Sequence, residues 1–315
     1  MKKLGNSSLS ILCIVVGMTV FAIQDSLIKF LSGSTSVFQI IFIRSIVAVI
    51  VLSIFLVIIK KPIIFSTNYP KLTLIRVIIF FFGFVLFYIG LAVLPFAVAI
   101  ALFFTSPFFL TIFSKIFLNQ DVGIRRWLTI VIGFIGVFII LNPTFDTFNI
   151  YMLFPIITAV CYAASMIIIK KTSEKDSVYT QTFHMHLSAI LFAIILGLAG
   201  NAIEFSQYNN VAFEFIFRSW EMNSNNFYLL VCVGILAIIG HTLIIQAYRI
   251  GFPPTIAPFE YVNLVWAIII GNIIWNEQLD IGAYIGMGLI VGGGLYIFYR
   301  ETIRNELVAI DKPLR

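Results

Sequence analysis

Ten apolar stretches of membrane-spanning length run from Ser8 to Tyr299, and the last five echo the first five. Phe21-Ala22 with Lys29 returns 141 positions later as Tyr162-Ala163 with Lys170. At the same shift Phe38 lies on Tyr179, Phe42 on Phe183 and Ala48 on Ala189. Further along, a shift of 157 lays Asn119 on Asn276, Trp127 on Tyr284 and Gly136 on Gly293. A chain that crosses a bilayer five times ends on the side opposite its start. Two like-ordered five-span copies therefore sit upside down relative to each other, the inverted repeat on which many secondary transporters are built.

The expected spans are 8–31, 37–59, 72–94, 96–118, 126–141, 151–169, 178–199, 227–248, 255–274 and 281–299. Crossing about 30 Å of hydrocarbon takes roughly 20 residues of helix, which most of these reach. Residues 126–141 are shorter and are closed by Asn142-Pro143. The runs are continuously apolar, not alternating, which excludes a β-barrel. With 61% hydrophobic and 11% charged residues, the chain lacks the polar surface a soluble fold of its size requires. The expectation is an all-α integral membrane protein with ten transmembrane helices. These form two inverted five-helix repeats, 8–141 and 151–299, followed by a charged, solvated tail at 300–315.

Orientation follows from the basic residues. With both termini cytoplasmic, the inner segments hold Lys2, Lys3, Lys60, Lys61, Lys71, Arg76, Lys115, Arg125, Arg126, Lys170, Lys171, Lys175, Arg249, Arg300, Arg304, Lys312 and Arg315. The outer loops hold only Arg218, which is the split that the positive-inside rule requires. The net charge of +6 therefore reports topology and implies no nucleic-acid partner. The first span follows Lys2 and Lys3 but lacks a small-residue cleavage site, and Gln24, Asp25 and Lys29 fall in its second half, so it reads as a retained helix. Cys13, Cys161 and Cys232 lie inside spans without paired spacing and read as apolar fillers.

The loops are short except 200–226. There Phe213, Ile216, Phe217 and Trp220 recur at helical spacing, and Glu214 and Arg218 form an i,i+4 pair. This helix either guards the outer entrance or floats at the headgroups. Glycines in spans five (Gly133, Gly136) and ten (Gly286, Gly288, Gly292, Gly293, Gly294) allow close helix approach. They mark an interface between the two halves, or between the protomers of a homodimer.

Ionisable side chains inside hydrocarbon are costly, so each is a functional candidate. Asp25 and Lys29 share one helix face, and Arg44 lies about 10 Å inside span two at 1.5 Å per residue. Asp25 is the natural partner of Arg44 or Lys29, either as a permanent ion pair or as a pair that opens for a zwitterion. Gln24 adjoins Asp25. His184 and His186 on span seven are two residues apart, point about 200° from each other and cannot both face one site. His241 and Glu260 lie on spans eight and nine, Glu260 just past Pro253, Pro254 and Pro258. Together they could hold a proton or the cationic part of a substrate, with His184 on the same inner side. Too few ligands converge for a metal site, and no cofactor is expected. Pro107 interrupts span four beside Thr105 and Ser106. Tyr88, Tyr248, Tyr261 and Trp266 stand near these polar groups, although in a chain with 33 phenylalanines most rings are packing.

No G-x-x-x-x-G-K-[ST] phosphate loop occurs, which argues against ATP-driven transport within this chain, and neither H-E-x-x-H nor G-x-S-x-G is present. The segments QDSLIKFLS, FQIIFIRSIVA and PFEYVNLVWAIIIGNIIWNEQL resemble the drug/metabolite transporter superfamily, in particular its EamA-type ten-helix members, over nearly the whole chain. Asp25, Lys29 and Arg44 match a D-x-x-x-K…R pattern of a bacterial subgroup that includes S-adenosylmethionine uptake carriers. Glu260, Tyr261, Gly271 and Glu277 match its P-F-[DE]-Y-x-x-L…G…E segment. Asn263 stands where that pattern has Arg, and Gln120 where the first repeat often has Glu.

The resemblance implies a non-enzymatic secondary carrier in a bacterial inner membrane that moves an amino-acid-like metabolite by alternating access. Asp25, Arg44, Gln24, Tyr88, Tyr261, Trp266 and Asn263 are the expected substrate contacts, with Glu260, His241 and His184 as inner-side coupling groups. An exporter of amino acids or aromatic compounds, a membrane-embedded enzyme acting on lipid-linked substrates and a passive channel are the alternatives.

Overall fold

The computed structural model describes residues 6–119, 123–141, 149–201, 210–220, 224–277 and part of 281–296. The first half comprises α1 (Asn6–Ser32), α2 (Val37–Ile58), α3 (Pro70–Val93), α4 (Phe96–Phe103), α5 (Ser106–Leu118) and α6 (Ile124–Leu141). A 3-10 turn, Ile150–Met152, leads into α7 (Leu153–Thr172), α8 (Val178–Asn201) and the short α9 (Val211–Phe217). Then follow α10 (Ser224–Ile250), α11 (Pro253–Ile256), a 3-10 stretch Ala257–Tyr261 and α12 (Val262–Trp275). Residues 281–296 are helical wherever they are described.

Among the described residues seven helices are long and apolar enough to cross a membrane: Ser8–Ser32, Val37–Ile58, Pro70–Val93, Phe96–Leu118, Ile150–Thr172, Val178–Leu198 and Asn226–Ile250. The apolar helix Phe259–Trp275 is shorter. The amino-terminal lysines, Gln120, Asn142-Pro143, Gly294, much of the 200–226 loop and the tail 300–315 lie outside the described residues.

Burial is inverted relative to a soluble protein. Ile54, Val57, Ile58, Leu74, Leu191, Leu198 and Ile273 face outward, whereas Gln24, Asp25, Arg44, Arg76, His186, His241 and Glu260 are buried. That distribution suits lipid outside and polar partners inside. The two halves interdigitate: α1 packs on α10, α3 on α7, and α2 on α8 and α10. Gly17 makes the first contact possible, since a Cβ there would lie 2.9 Å from Ile244. At Gly83 a Cβ would meet Cys161 at 2.8 Å, and Thr158 Oγ1 donates to the Gly83 carbonyl at 2.7 Å. The expected glycine face of the last span behaves differently: Gly288 and Gly292 have open space around them, while Gly133 abuts the Tyr261 ring.

Residues related by the sequence repeat make the same contacts. Lys29 Nζ donates to the Leu91 and Leu94 carbonyls (3.1 and 2.6 Å), closing the end of α3. Lys170, its counterpart, donates to the Arg249 and Gly251 carbonyls (2.7 and 2.8 Å), closing the end of α10. A lysine at the carbonyl end of a helix also opposes the helix dipole. Asn119 and Asn276, again counterparts, end α5 and α12 in the left-handed region, with φ of 50° and 51°.

At the basic end of the bundle Asp176 ties the loop before α8 to the loop before α3. It accepts from Thr67 Oγ1 (2.5 Å) and from the backbone and side-chain nitrogens of Asn68 (both 3.0 Å). Burial alone would raise the pKa of this carboxyl. The bonds from Thr67 and Asn68 and the field of His184 outweigh it and hold the group below the ordinary aspartate range.

At the opposite end α9 is docked on the bundle. Phe215 is wholly buried, Ser36 Oγ donates to the Ile216 carbonyl at 3.4 Å, and Trp220 packs on Phe42. The buried face is therefore centred on Ala212 and Phe215, one step round from the face that spacing suggested. The Glu214–Arg218 pair is present at 3.5 Å.

Candidate functional site

Two separate polar centres occupy the bundle interior. The first is built on Arg44 of α2, Asp25 and Gln24 of α1, and Tyr88 of α3, all buried. Each sits within about two turns of its helix end, so all three helices bring their groups to similar depth. Arg44 Nη1 donates to the Tyr88 hydroxyl, and its guanidinium lies 5.4 Å from the Tyr88 ring centroid. Gln24 Nε2 lies 3.5 Å from both the Asp25 carboxylate and the Tyr88 hydroxyl.

The expected direct ion pair is not formed. Among the described residues no carboxylate pairs with Arg44, and its Nε has no hydrogen-bond partner. Lys29, the other expected partner of Asp25, is engaged with backbone carbonyls instead. A buried guanidinium whose hydrogen-bond partner among the described residues is a neutral hydroxyl forgoes most of the interaction it had with water.

Arg44 opens on a small void walled by Ile41, Phe80, Phe81, Phe84, His186 and His241. His241 stands edge-on to Phe21, Phe80 and Phe84, with ring centroids 4.8, 5.6 and 6.2 Å away, and 5.1 Å from His186. Nε2 of each histidine is without a partner. The void holds about one water, so it is a closed pocket with polar groups waiting on one wall and rings on the other.

The second centre is Glu260, in the 3-10 stretch before α12. Its Oε1 accepts from the Tyr162 and Tyr248 hydroxyls (2.6 and 2.5 Å), and Ser106 Oγ lies 3.5 Å from Oε2. The rings Tyr88, Phe87, Phe103 and Tyr162 run in contact from one centre to the other and separate them.

The structure thus regroups the sequence candidates. Asp25, Gln24, Arg44 and Tyr88 come together. His241 joins them and stands apart from Glu260, with which it was expected to act. His184 turns to the Phe65 carbonyl at 2.7 Å, so its Nε2 carries the proton, and His186 is the histidine beside His241. Tyr261 packs on Phe104 and against Gly133. Trp266 is 38% exposed on the outer face and donates to Thr19 Oγ1 at 3.1 Å. Asn263 is buried with Oδ1 unpartnered. Among the described residues no group of His, Cys, Asp or Glu is disposed to hold a metal.

Sequence reasoning missed the roles of Tyr162, Ser106, His186 and Glu277. Tyr162 was visible only as the repeat partner of Phe21, and Ser106 only through its proline neighbour. Glu277 accepts from the backbone nitrogens of Phe96 (2.7 Å) and Ala97 (3.2 Å), capping α4.

A helical bundle with an apolar exterior and an aromatic, partly unsatisfied polar interior is a multi-pass membrane protein of transporter type. The pattern of the EamA-like transporter family matches residues 8–142 and 149–299, and the chain belongs to that family. It is 29% identical over 279 residues to an S-adenosylmethionine uptake transporter of Rickettsia bellii, covering 88% of this chain and 89% of that one. Identity to a riboflavin transporter of Vibrio cholerae is 28%, covering 66% and 64%. Identity to the pseudopaline exporter CntI of Pseudomonas aeruginosa is 23%, covering 91% and 92%. A solved crystal structure at 14% identity superposes with a TM-score of 0.70 over 95% of this chain and 98% of its own, which speaks to the fold alone.

Proposed function

We propose that the protein is a secondary carrier of the bacterial inner membrane that moves an amino-acid-like zwitterion, with S-adenosylmethionine as the lead substrate. The observation that carries this reading is Arg44: a buried cation that forms no salt bridge among the described residues, facing a void walled by aromatic rings. A substrate carboxylate on Arg44 would supply the missing charge-assisted bonds. Asp25, held beside it through Gln24 and Tyr88, is placed for an ammonium or sulfonium, and the rings of Phe80, Phe84 and His241 suit a flat heterocycle.

A void of one water admits no metabolite, so the walls must part, which is the requirement of alternating access. Ten helices in two inverted repeats, with both termini inside, give the carrier its two faces. The matching lysine contacts at α3 and α10 support that arrangement, as does the run of basic groups at the Asp176 end. The likeness to the CntI exporter covers 91% of this chain, against 88% for the uptake transporter of Rickettsia bellii, and favours export as the second reading.

The deciding experiment is uptake of labelled S-adenosylmethionine by proteoliposomes preloaded with unlabelled S-adenosylmethionine or S-adenosylhomocysteine. Transient accumulation above equilibrium that saturates with concentration is expected. Folded protein without counterflow for these or for competing amino acids would overturn the substrate assignment.

A further inference from the structure

We propose that Glu260, cradled by Tyr162, Tyr248 and Ser106 where two broken helices meet, is a proton-binding site separate from the substrate pocket. The inference rests on the carrier reading above and adds the driving ion to it.

Both helices lose their regular bonding in the same part of the repeat. Between α4 and α5 the Phe104 amide is shared between the Ile100 and Ala101 carbonyls, that of Thr105 turns to Leu102 three residues back, and Pro107 offers no N–H. In the second half the chain passes through the 3-10 stretch Ala257–Tyr261, which includes Pro258, before α12 resumes. A 3-10 interruption within a longer helical run is a common hinge. A shift of 157 lays Glu260 on Phe103, so one hinge carries a carboxyl and its counterpart a ring.

The surroundings of Glu260 suit a proton. The side chain is wholly buried, as are Tyr248 and Ser106, and Tyr162 is nearly so. The titratable groups facing it are Tyr162 of α7, Tyr248 of α10 and Tyr261 of its own segment, and among the described residues no lysine, arginine or histidine is a partner. Two tyrosine hydroxyls donate to Oε1, and among the described residues Oε2 has a single long contact, to Ser106 Oγ. A proton taken up from water therefore has one place to sit, on Oε2, from which it donates to Ser106 Oγ, and it leaves by the same bond. No covalent bond between heavy atoms changes.

Ser106 belongs to the first half, and Glu260, Tyr162 and Tyr248 to the second. Protonation thus reverses the bond between the halves: Ser106 donates to the carboxylate, and the acid donates to Ser106. The proton site biases the contact between halves that rock against each other, while a wall of rings keeps it off the substrate.

The test uses the full chain in proteoliposomes, with labelled S-adenosylmethionine as probe. Wild type should accumulate substrate when a pH gradient is imposed. Glu260→Gln, nearly isosteric, should lose at least tenfold of that accumulation while substrate-for-substrate counterflow persists within about threefold. Tyr248→Phe should keep driven uptake but shift the pH at which it is half-maximal, which a merely structural tyrosine would not do. Driven uptake intact in Glu260→Gln, an unmoved midpoint in Tyr248→Phe, or a wild type driven by sodium and indifferent to pH would each overturn the proton site. Loss of counterflow and driven uptake together in folded Glu260→Gln would also overturn it, leaving a structural carboxyl. Absence of saturable counterflow in wild type is a different failure, that of the carrier reading itself.

Discussion

The two buried centres hold similar groups and treat them oppositely. Glu260 is enclosed by donors, and both its oxygens face a hydroxyl. Arg44 is enclosed by rings, with a neutral tyrosine as its hydrogen-bond partner and Nε unmet. A polar group satisfied by the protein can act by gaining or losing a proton without a visitor. One left unsatisfied in a low dielectric gains most when a ligand arrives with the missing charge. The contrast separates a site for a proton from a site for a metabolite.

Arg44→Gln is the change that should break this contrast most severely. It keeps a donor near Tyr88 and removes the charge, and counterflow should fall about 100-fold or more, the worth of a buried charge-assisted pair near 3 kcal/mol. Full transport by the folded variant would detach Arg44 from the substrate. The histidines sharpen the comparison at the next level. His186→Ala should raise the half-saturation concentration about tenfold, whereas His184→Ala, whose side chain is turned toward Phe65, should change it less than twofold. Equal effects would mean that the pocket is drawn in the wrong place.

Glu277→Ala tests a carboxylate with only a structural duty. Loss of the α4 cap should cost about 1–2 kcal/mol of stability, read as a lower melting temperature in detergent with the half-saturation concentration unchanged. The smallest effect is expected at Asp176. Its ionised form is favoured in the folded protein, so its contribution is present above about pH 4 and fades as the pH falls through the lower folded-state pKa. Wild type should therefore melt a few degrees above Asp176→Asn at pH 7, and the two should converge once the pH has fallen below the folded-state pKa. A gap that persists in acid would assign the difference to shape and not to charge.

Much of the architecture was legible because lipid makes it so. A helix facing hydrocarbon must be apolar along a whole crossing, and that leaves long runs no other environment explains. The lysine and asparagine repeats were legible because helix ends demand particular chemistry: a cation at the carbonyls near Leu94 and Gly251, and a left-handed residue after α5 and α12. Asp25, Arg44 and Glu260 announced themselves by their cost in hydrocarbon. Their partners did not. Trp266 and Tyr261 read like Tyr88 in sequence, yet one faces outward and the other packs on Phe104. His184 and His186 differed only in which could face inward, and spacing alone does not choose between them.

The sequence by itself therefore determined a multi-pass helical chain, its internal repeat and which side chains were too costly to be idle. Those properties depend on composition and on spacing along one helix. Only the tertiary structure decided that Arg44 would meet Tyr88 and His241 and not an aspartate, and that Glu260 would be held by Tyr162 and Tyr248. Those meetings are set by how helices from the two halves cross, through close approaches such as Gly17 on Ile244 and Gly83 on Cys161, which no single stretch of sequence encodes.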